Sequence, residues 1–296
     1  MNQKNIDLAA LILRVGLGLV FVIGGTSKLN LLLDSATQAG MVANYMGTSG
    51  YINELFQDYL FSGGLLTPWS FLTALSAFEL FSGIALILGF MVRPLALLYA
   101  FMLWSFVVSL PVDTVPGVSV GVKTYTSPAI FVQIRDITLS GMMFVLFNLG
   151  AGLKSIDQRF TKQVSTVDWD SLGLLLRFSL GLTFVVAGFF AGYAKIPNFA
   201  TYQLILAVIA LLLIFADGPL IKAVGIACVV VMVWFILQKI SIDKTVIANL
   251  NGFKREFALA SAGAVIALFG GGKRFTLMDL MQRGKGYFSA KQLTSN

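Results

Sequence analysis

The sequence predicts an all-α membrane protein with about eight transmembrane helices, arranged as two parallel four-helix bundles. Of its 296 residues, 57% are hydrophobic and only 12% are charged, and its mean hydropathy is +0.85. Soluble domains carry about 25% charged residues, so this composition excludes a water-soluble globular enzyme. The apolar residues lie in long runs, and a bilayer-crossing helix needs roughly 20 of them. A segment near the N-terminus also recurs in the second half of the chain.

The apolar runs are bounded by polar segments or by Gly and Pro. They predict helices at residues 8–29, 69–92, 94–110, 131–150, 172–193, 202–216, 219–237 and 257–270. The second and third helices are separated only by the turn at 91–94, and the sixth and seventh only by 216–219. Both turns end in Pro, which suits the start of a helix because its missing N–H would have no partner there.

The absence of histidine and the near absence of cysteine limit the chemistry that this chain can perform. The chain has no histidine and one cysteine, Cys228. This excludes bis-His haem, His-ligated metals and His acid–base catalysis, and a single thiol forms neither an intrachain disulfide nor a CxxC pair. Cys228 lies in an apolar run, where a small buried side chain is expected. We therefore expect no haem or metal on this chain, so that redox chemistry would use a substrate, a diffusible cofactor or a partner's cofactor.

The net charge of +7 comes from 21 Lys and Arg against 14 Asp and Glu. In a membrane protein this excess indicates topology control and lipid contact rather than nucleic-acid binding. The Lys and Arg distribution predicts a multi-pass protein of a bacterial or archaeal inner (plasma) membrane with both termini in the cytoplasm. The first apolar run is not expected to be a signal peptide, because Arg14 interrupts it and no small-residue cleavage pattern follows.

Residues 14–25 (RVGLGLVFVIGG) recur at residues 177–188 (RFSLGLTFVVAG), with seven of twelve positions identical. The identities include Arg14 and Arg177, and an aligned arginine is rare in membrane helices. The last helix of each half also opens on a basic–acidic pair, first at 135–136 and again at 255–256. Because each half has an even number of helices, the sequence predicts an internal duplication with parallel halves.

This duplication predicts four segments along the chain. They are a first bundle at 1–154 with a long outer loop at 30–68, a cytoplasmic linker at 155–170, a second, diverged bundle at 171–273, and a basic cytoplasmic tail at 274–296. Long ordered loops on a rigid scaffold usually carry functional sites. The first half is therefore the better candidate for activity, and the second is predicted to be a support.

Polar and glycine positions recur at set places in three of the predicted helices. They are Arg14, Gly18, Gly25 and Lys28 on the first, Glu79, Gly83 and Gly89 on the second, Arg135 and Asp136 on the fourth, with an exit segment at 270–279 (GGGKRFTLMD). This set resembles the DoxX/DoxD superfamily of small four-helix membrane proteins. The second half departs from the pattern, because no acidic residue occupies the expected site on its second helix, which argues against a second active centre.

The resemblance implies a membrane subunit of a quinone-linked redox complex. DoxD is the membrane component of thiosulfate:quinone oxidoreductase, which joins two thiosulfates to tetrathionate and reduces quinone. By resemblance, quinone is then a diffusible cofactor, a small sulfur oxyanion a substrate, and the lipid bilayer and other complex subunits the partners. Whether the chain is itself an enzyme stays open, since a small-anion transporter and a non-catalytic anchoring or assembly subunit remain alternatives.

Glu79 lies about ten residues into the second predicted helix, roughly 15 Å deep. A charge at that depth costs at least ~2.5 kcal/mol, so Glu79 must be neutral, paired or facing water. It is a candidate catalytic residue that exchanges protons with quinone. The alternative is a salt bridge to Arg14 or Arg135 that locks the bundle, and the two roles can coexist.

Lys28, Arg135 and Asp136 all fall near the outer membrane surface. Two fixed cations beside a carboxylate suit a small dianion, and Arg offers a two-pronged donor, although an ordinary interfacial ion pair is an alternative. We assign Asp136, with Glu79, as catalytic and Lys28, Arg135 and Arg14 as substrate-binding. Arg14 could instead extend to the interface or serve packing. All but Arg14 should converge beneath the outer loop.

The aromatic side chains could complete a site for the apolar part of a quinone. The candidates are Trp69, Phe71, Phe78, Trp104 and Phe106. Each of them singly is also typical of a membrane protein, because aromatic residues are common in bilayer interfaces.

Overall fold

The computed structural model describes residues 1–46, 52–109, 129–160, 166–190 and 202–282. Within these ranges the chain is helical, with no β-strand and one short 3₁₀ turn. The α-helices are α1 (Gln3–Leu33), α2 (Gln38–Tyr45), α3 (Glu54–Phe61), α4 (Pro68–Leu88), α5 (Val92–Ser109), α6 (Ala129–Leu149), α7 (Trp169–Phe189), α8 (Gln203–Phe215), α9 (Gly218–Lys239) and α10 (Val246–Phe269).

Every predicted apolar run falls on a helix, namely α1 and α4 to α10. Five described helices, α1, α4, α5, α7 and α9, are long and apolar enough to cross a membrane, and α8 is a shorter apolar helix. The chain is therefore an all-α membrane protein surrounded by a lipid bilayer, while the count of eight spans stays a prediction. Of the predicted basic tail, residues 283–296 lie outside the described ranges.

The ends of α4 and α5 follow from local capping. Thr67 accepts from the backbone N–H of Ser70 and so caps α4. Gly89, with φ of +73°, ends α4 in the left-handed conformation that favours glycine. The Asp157 carboxylate, from the segment after α6, accepts from the backbone N–H groups of Met91 and Val92 and caps α5. The turn between α4 and α5 is thereby tied to the linker between the halves.

The described parts of the predicted outer loop at 30–68 form a folded cap. It contains α2 and α3, and its small apolar core is formed by Leu32, Met41, Ile52 and Leu72. Both helices have eight residues. An eight-residue helix spans about two turns, which is too short for its apolar periodicity to stand out in the sequence.

The helices pack in pairs within and between the halves. Within them, α1 packs along α4, α5 along α6, α7 along α8, and α9 along α10. Between the halves, α1 packs against α10, and α6 against α7. Close approach depends on glycine: a Cβ at Gly25 would lie 2.6 Å from the backbone N of Leu80 on α4. Small residues allow this spacing, as in other membrane helix pairs.

Each of the two contacts between the halves pairs a glycine of the first half with a serine of the second, and the repeat position that carries the glycine differs between the two contacts. Gly16 of α1 packs against Ser261 of α10, and Gly141 of α6 packs against Ser179 of α7. Gly16 and Ser179 each lie two residues after an aligned arginine, and Gly141 and Ser261 each lie six residues after one. Each interface therefore meets with one glycine and one serine.

Arg14 is buried at the end of the bundle where α1 begins. Its guanidinium donates to the carbonyl of Ile87 in the last turn of α4 at 2.6 Å, and to that of Leu153 after α6 at 2.6 Å. Carbonyls at helix ends lack partners within their own helix, so this arginine satisfies them and joins α1 to two neighbours. It neither extends to the membrane interface nor pairs with Glu79.

Arg177 makes the equivalent contacts in the second half. It donates to the carbonyl of Ile214 in the last turn of α8 at 2.9 Å, and to the carbonyls of Gly271 and Arg274 after α10 at 2.7 and 2.5 Å. Both arginines are almost fully buried. Each closes its own four helices at the same end of the bundle.

Candidate functional site

A cavity of about 370 Å³ lies at the other end of the bundle, where α1 finishes and α2 and α3 begin. It is lined by residues of both halves. The first half contributes residues of α1, α4, α5 and α6, and the second half contributes residues of α9 and α10. The cap contributes Met41, Tyr45 and Phe56. The cavity therefore lies beneath the segment that the sequence predicted to cover the site.

Four predicted site residues line this cavity: Lys28, Glu79, Arg135 and Asp136. Lys28 of α1 and Glu79 of α4 form an ion pair, with 2.5 Å between Nζ and Oε2. Glu79 is thus paired, as its depth required, but its partner is Lys28 rather than Arg14 or Arg135. Arg14 does not line the cavity, and its donors are directed at backbone carbonyls, so its surroundings do not support a substrate-binding role.

Two crossed ion pairs join the halves at the cavity wall. Arg135 Nη1 of α6 lies 2.6 Å from Oε1 of Glu256 on α10. In return, Arg255 of α10 holds Asp136 of α6 with two hydrogen bonds, from Nε to Oδ1 at 2.7 Å and from Nη2 to Oδ2 at 3.2 Å. Two parallel bonds between arginine and carboxylate fix both side chains in orientation. The two basic–acidic pairs of the sequence therefore bind each other across the interface.

The second half contributes more than the sequence predicted. Beyond Arg255 and Glu256, the cavity is lined by Lys239 at the end of α9 and by Asn251, Gly252 and Lys254 of α10. The repeated basic–acidic pair was a signal for the first two. Lys254 gave no such signal, because the residue before Arg135 is Ile134 and the cation has no counterpart.

Helix α10 is kinked where it meets the cavity. Phe253 has φ of −132° and ψ of 22°, outside the helical region, and it follows Gly252. A glycine is a common cause of such a break. Three consecutive charged residues, Lys254 to Glu256, come directly after the kink and all line the cavity.

Lys254 is half-buried on the cavity wall. Its amine donates to the side-chain oxygen of Asn251 at 2.9 Å. Gly24 of α1 faces it: a Cβ there would lie 2.9 Å from Lys254 Nζ and 3.5 Å from Glu79 Oε2. The missing side chain at Gly24 therefore leaves room for an amine and a carboxylate beside the same point of α1.

Part of the cavity wall is apolar. Its side chains include Phe21, Phe71, Leu75, Leu103 and Phe106. Phe71 and Phe106 were among the aromatic residues expected to contact the apolar part of a quinone. Of the others, Trp69 and Trp104 are partly exposed on the outside of the bundle, where aromatic side chains suit the bilayer interface.

Phe21 connects the apolar wall to a buried tyrosine. Its ring stacks on Tyr99 with 3.7 Å between centroids, and Phe78 packs on the other edge of Tyr99 at 5.7 Å. The Tyr99 hydroxyl shares a 2.5 Å hydrogen bond with Ser82 Oγ, three residues after Glu79 on α4. Phe21, which lines the cavity, is therefore packed against a buried aromatic cluster.

The lining side chains favour anions. Five are cationic and three are carboxylates, so in their ionised forms they carry an excess of two positive charges. An enclosed site with one dominant sign of charge attracts the opposite sign. Together with the apolar wall, this cavity suits a ligand or ligand pair with an anionic or hydrogen-bond-accepting end and an apolar body.

Comparison with known proteins finds a similarity in part of the first half. Residues 9–110 match the DoxX family model, a range that includes Lys28 and Glu79 but not the residues contributed by α6 or α10. No curated protein and no solved structure matches the chain. Residues 9–110, from α1 to α5, are thus similar to the DoxX family.

Proposed function

We propose that the chain is a quinone-handling membrane subunit of a redox complex, resembling thiosulfate:quinone oxidoreductase. The observation that carries this is the cavity, whose lining combines the Lys28–Glu79 pair with further charged groups and with aromatic side chains. A quinone needs apolar contacts for its ring and tail, donors for its carbonyl oxygens and a source of protons. The residues that line the cavity meet all three needs.

When bound, quinone accepts two electrons and two protons. Phe71 and Phe106 would pack against its ring, and the Lys28 amine would donate to a carbonyl oxygen. Glu79 would hold and release a proton within the same cavity. In the proposed reaction two thiosulfate ions each give up one electron as a bond forms between their terminal sulfur atoms, and the two electrons together with two protons convert quinone to quinol.

The Lys28–Glu79 pair couples proton and anion binding. While Glu79 is ionised, it compensates the charge of Lys28 at 2.5 Å. A proton on Glu79 removes that compensation and leaves Lys28 to attract an anion. Arg135, also proposed as a substrate-binding residue, is held by Glu256, and Asp136 is held by two bonds from Arg255. We therefore propose Asp136 as a positioning residue that keeps Arg255 at the wall.

Purified full-length protein in lipid nanodiscs tests this proposal. Extraction of the preparation and chromatography should recover quinone, and thiosulfate-dependent quinol formation should be measured in membranes that contain the whole complex. Glu79→Gln keeps the shape and removes the charge, so turnover should fall by at least about tenfold. Glu54→Gln, an exposed carboxylate on α3, is the matched control and should turn over normally. Absence of quinone, or full turnover in Glu79→Gln, would contradict the proposal.

A second candidate function is small-anion transport, favoured by the excess of positive charge in the cavity. Uptake of labelled thiosulfate or sulfate by the chain alone in liposomes distinguishes it, because a redox subunit needs its partners and quinone rather than a gradient. An anchoring subunit would show neither activity. In each case we propose an inner-membrane location with both termini in the cytoplasm.

We also propose that the two halves arose by duplication and are related by rotation about the membrane normal. Three observations support it: the matching contacts of Arg14 and Arg177, the crossed pairs of the two basic–acidic dipeptides, and the exchanged Gly–Ser contacts between the halves. Each contact has a counterpart in the other half. Measured distances between labelled pairs of positions, matched in the two halves, would test the rotation.

A further inference from the structure

We propose that the Lys254 amine, supplied by the second half, is the group that directly binds a small tetrahedral oxyanion in the cavity, and that Gly24 of α1 leaves room for it. This inference rests on the proposed function, since it names the ligand class and the binding group of the same cavity. It assigns a binding role to a half that lies outside the DoxX match.

Three of the other four cations that line the cavity are already committed to carboxylates, and the amine of the fourth, Lys239, lies over the Phe235 ring. Lys28 is paired with Glu79, Arg135 with Glu256 and Arg255 with Asp136, each at 2.7 Å or less. A ligand that bound one of these directly would have to compete with a carboxylate already in contact. While its carboxylate is ionised, each such pair therefore acts on a ligand through its electric field more than through direct hydrogen bonds.

Lys254 differs in its partner. Within the part of the chain that the structure describes, its amine forms no ion pair, and its hydrogen bond goes to the neutral amide of Asn251. An ammonium has three donors, so the amine can bind oxygen atoms of a ligand without giving up a charged partner. An anionic acceptor adds charge attraction that the neutral amide does not provide, so the ammonium should favour an oxyanion.

The position of the amine also selects the ligand. The Lys254 amine and the Glu79 carboxylate both lie within 3.5 Å of the Cβ position that Gly24 leaves empty, and Glu79 in turn contacts Lys28. An ion with oxygen atoms pointing in several directions can be held at Lys254 while it remains in the field of Lys28 and Arg255. The net excess of two positive charges in the lining matches a dianion such as thiosulfate or sulfate.

Thermal unfolding of the full-length chain in nanodiscs, with added thiosulfate or sulfate at constant ionic strength and chloride as the reference, tests this inference. Wild-type protein should be stabilised by the dianions in a saturable way. In Lys254→Gln the apparent affinity should fall by about tenfold or more, as expected from the loss of one charged hydrogen bond. The control, Lys244→Gln, changes an exposed lysine on the turn before α10 and should respond like wild type.

Gly24→Ala provides a second variant that changes no charge. Its Cβ would contact only the ends of the flexible Lys254 and Glu79 side chains, so the protein should fold while the amine is displaced and dianion affinity falls. An unchanged dianion response in Lys254→Gln, or no response in wild type, would overturn the inference. Quinone content is measured separately in the same preparations: if quinone is absent but the dianion response depends on Lys254, the proposed function fails and the oxyanion site stands.

Discussion

The two halves of the molecule are alike at one end of the bundle and different at the other. At the end where α1 begins, Arg14 binds carbonyls in the last turn of α4, and Arg177 binds the equivalent carbonyls in the last turn of α8. At the cavity end the first half supplies Lys28 and Glu79, and the second supplies Lys254. Positions that match between the halves hold helices together, including the crossed ion pairs at the cavity wall, whereas Glu79 and Lys254 are supplied to the cavity by one half alone.

The contrast is sharpest between α4 and α8. Gly25 packs on the backbone N of Leu80, and Gly188 packs on that of Ala207, so these helices are aligned residue by residue. One residue earlier lie Glu79 in α4 and Leu206 in α8, and Leu206 is buried in the apolar core. The second half has therefore kept the packing of the helix pair without the carboxylate. Its own charged contribution comes from α10 and from Lys239 at the end of α9.

The largest expected effect is the loss of either buried arginine. Arg14→Gln and Arg177→Gln each leave several buried carbonyls without a donor, and each such group costs about 1–3 kcal/mol. Both variants should therefore lower the free energy of unfolding by several kcal/mol and by similar amounts, as measured by denaturant titration in detergent micelles. A large loss in one and almost none in the other would break the equivalence of the halves.

A smaller effect is expected from the crossed ion pairs. Glu256→Gln leaves the Arg135 charge without its partner, and breaking a buried pair costs about 3–5 kcal/mol. Asp136→Asn should cost less, because Arg255 is the more exposed of the two arginines at 19% against 7%. A double-mutant cycle with Arg135→Met should show coupling for Glu256 and none for Asp136. Coupling in the reverse pattern would contradict the crossed arrangement.

Two adjacent glycines are expected to have different roles, Gly25 in helix packing and Gly24 in ligand binding. In Gly25→Ala the new Cβ meets the backbone of α4, and overpacking of this kind costs about 1–3 kcal/mol. In Gly24→Ala it meets only flexible side-chain ends, so stability should change little while dianion binding weakens. Unfolding and dianion titration of both variants check this pair. Equal destabilisation in the two would show that Gly24 is a packing residue.

Exchange of the serine and glycine between the halves should have the smallest effect. Gly16→Ser brings a second hydroxyl against Ser261, whereas Gly16→Ser with Ser261→Gly restores one glycine and one serine in the order found at α6 and α7. The double variant should therefore recover most of the stability that the single one loses. Thermal unfolding of the three proteins is sufficient, and a double variant no better than the single one would argue against matched interfaces.

Much of this arrangement could be predicted from the sequence, because polar residues are rare in apolar helices. The apolar runs gave the helices, and the few charged positions gave the group of Lys28, Glu79, Arg135 and Asp136 at one cavity. The sequence analysis offered Arg14 or Arg135 as the ion-pair partner of Glu79, whereas the structure shows Lys28. The choice depends on how α1 and α4 are rotated against each other.

Other features carried no sequence signal. The carbonyl contacts of Arg14 arise where the ends of α4 and α6 meet α1, which depends on tertiary packing. The cap helices α2 and α3 are too short to show a period. Lys254 has no counterpart in the first half, so the repeat that revealed Arg255 could not reveal it. The sequence comparison thus finds what the halves share and misses what one half alone contributes.

The most direct test of the account compares Glu79→Gln with Arg177→Gln in one preparation, with both quinol formation by the assembled complex and unfolding of the isolated chain measured. Glu79 differs between the halves, so Glu79→Gln should lose at least about tenfold in turnover at temperatures where it remains folded, although loss of the buried Lys28–Glu79 pair also lowers its unfolding midpoint. Arg177 matches Arg14, so Arg177→Gln should lower the unfolding midpoint and, at temperatures where it remains folded, keep its turnover. Normal turnover in a folded Glu79→Gln, or lost turnover in a folded Arg177→Gln, would contradict the assignment of fold to the matched positions and function to the unmatched ones.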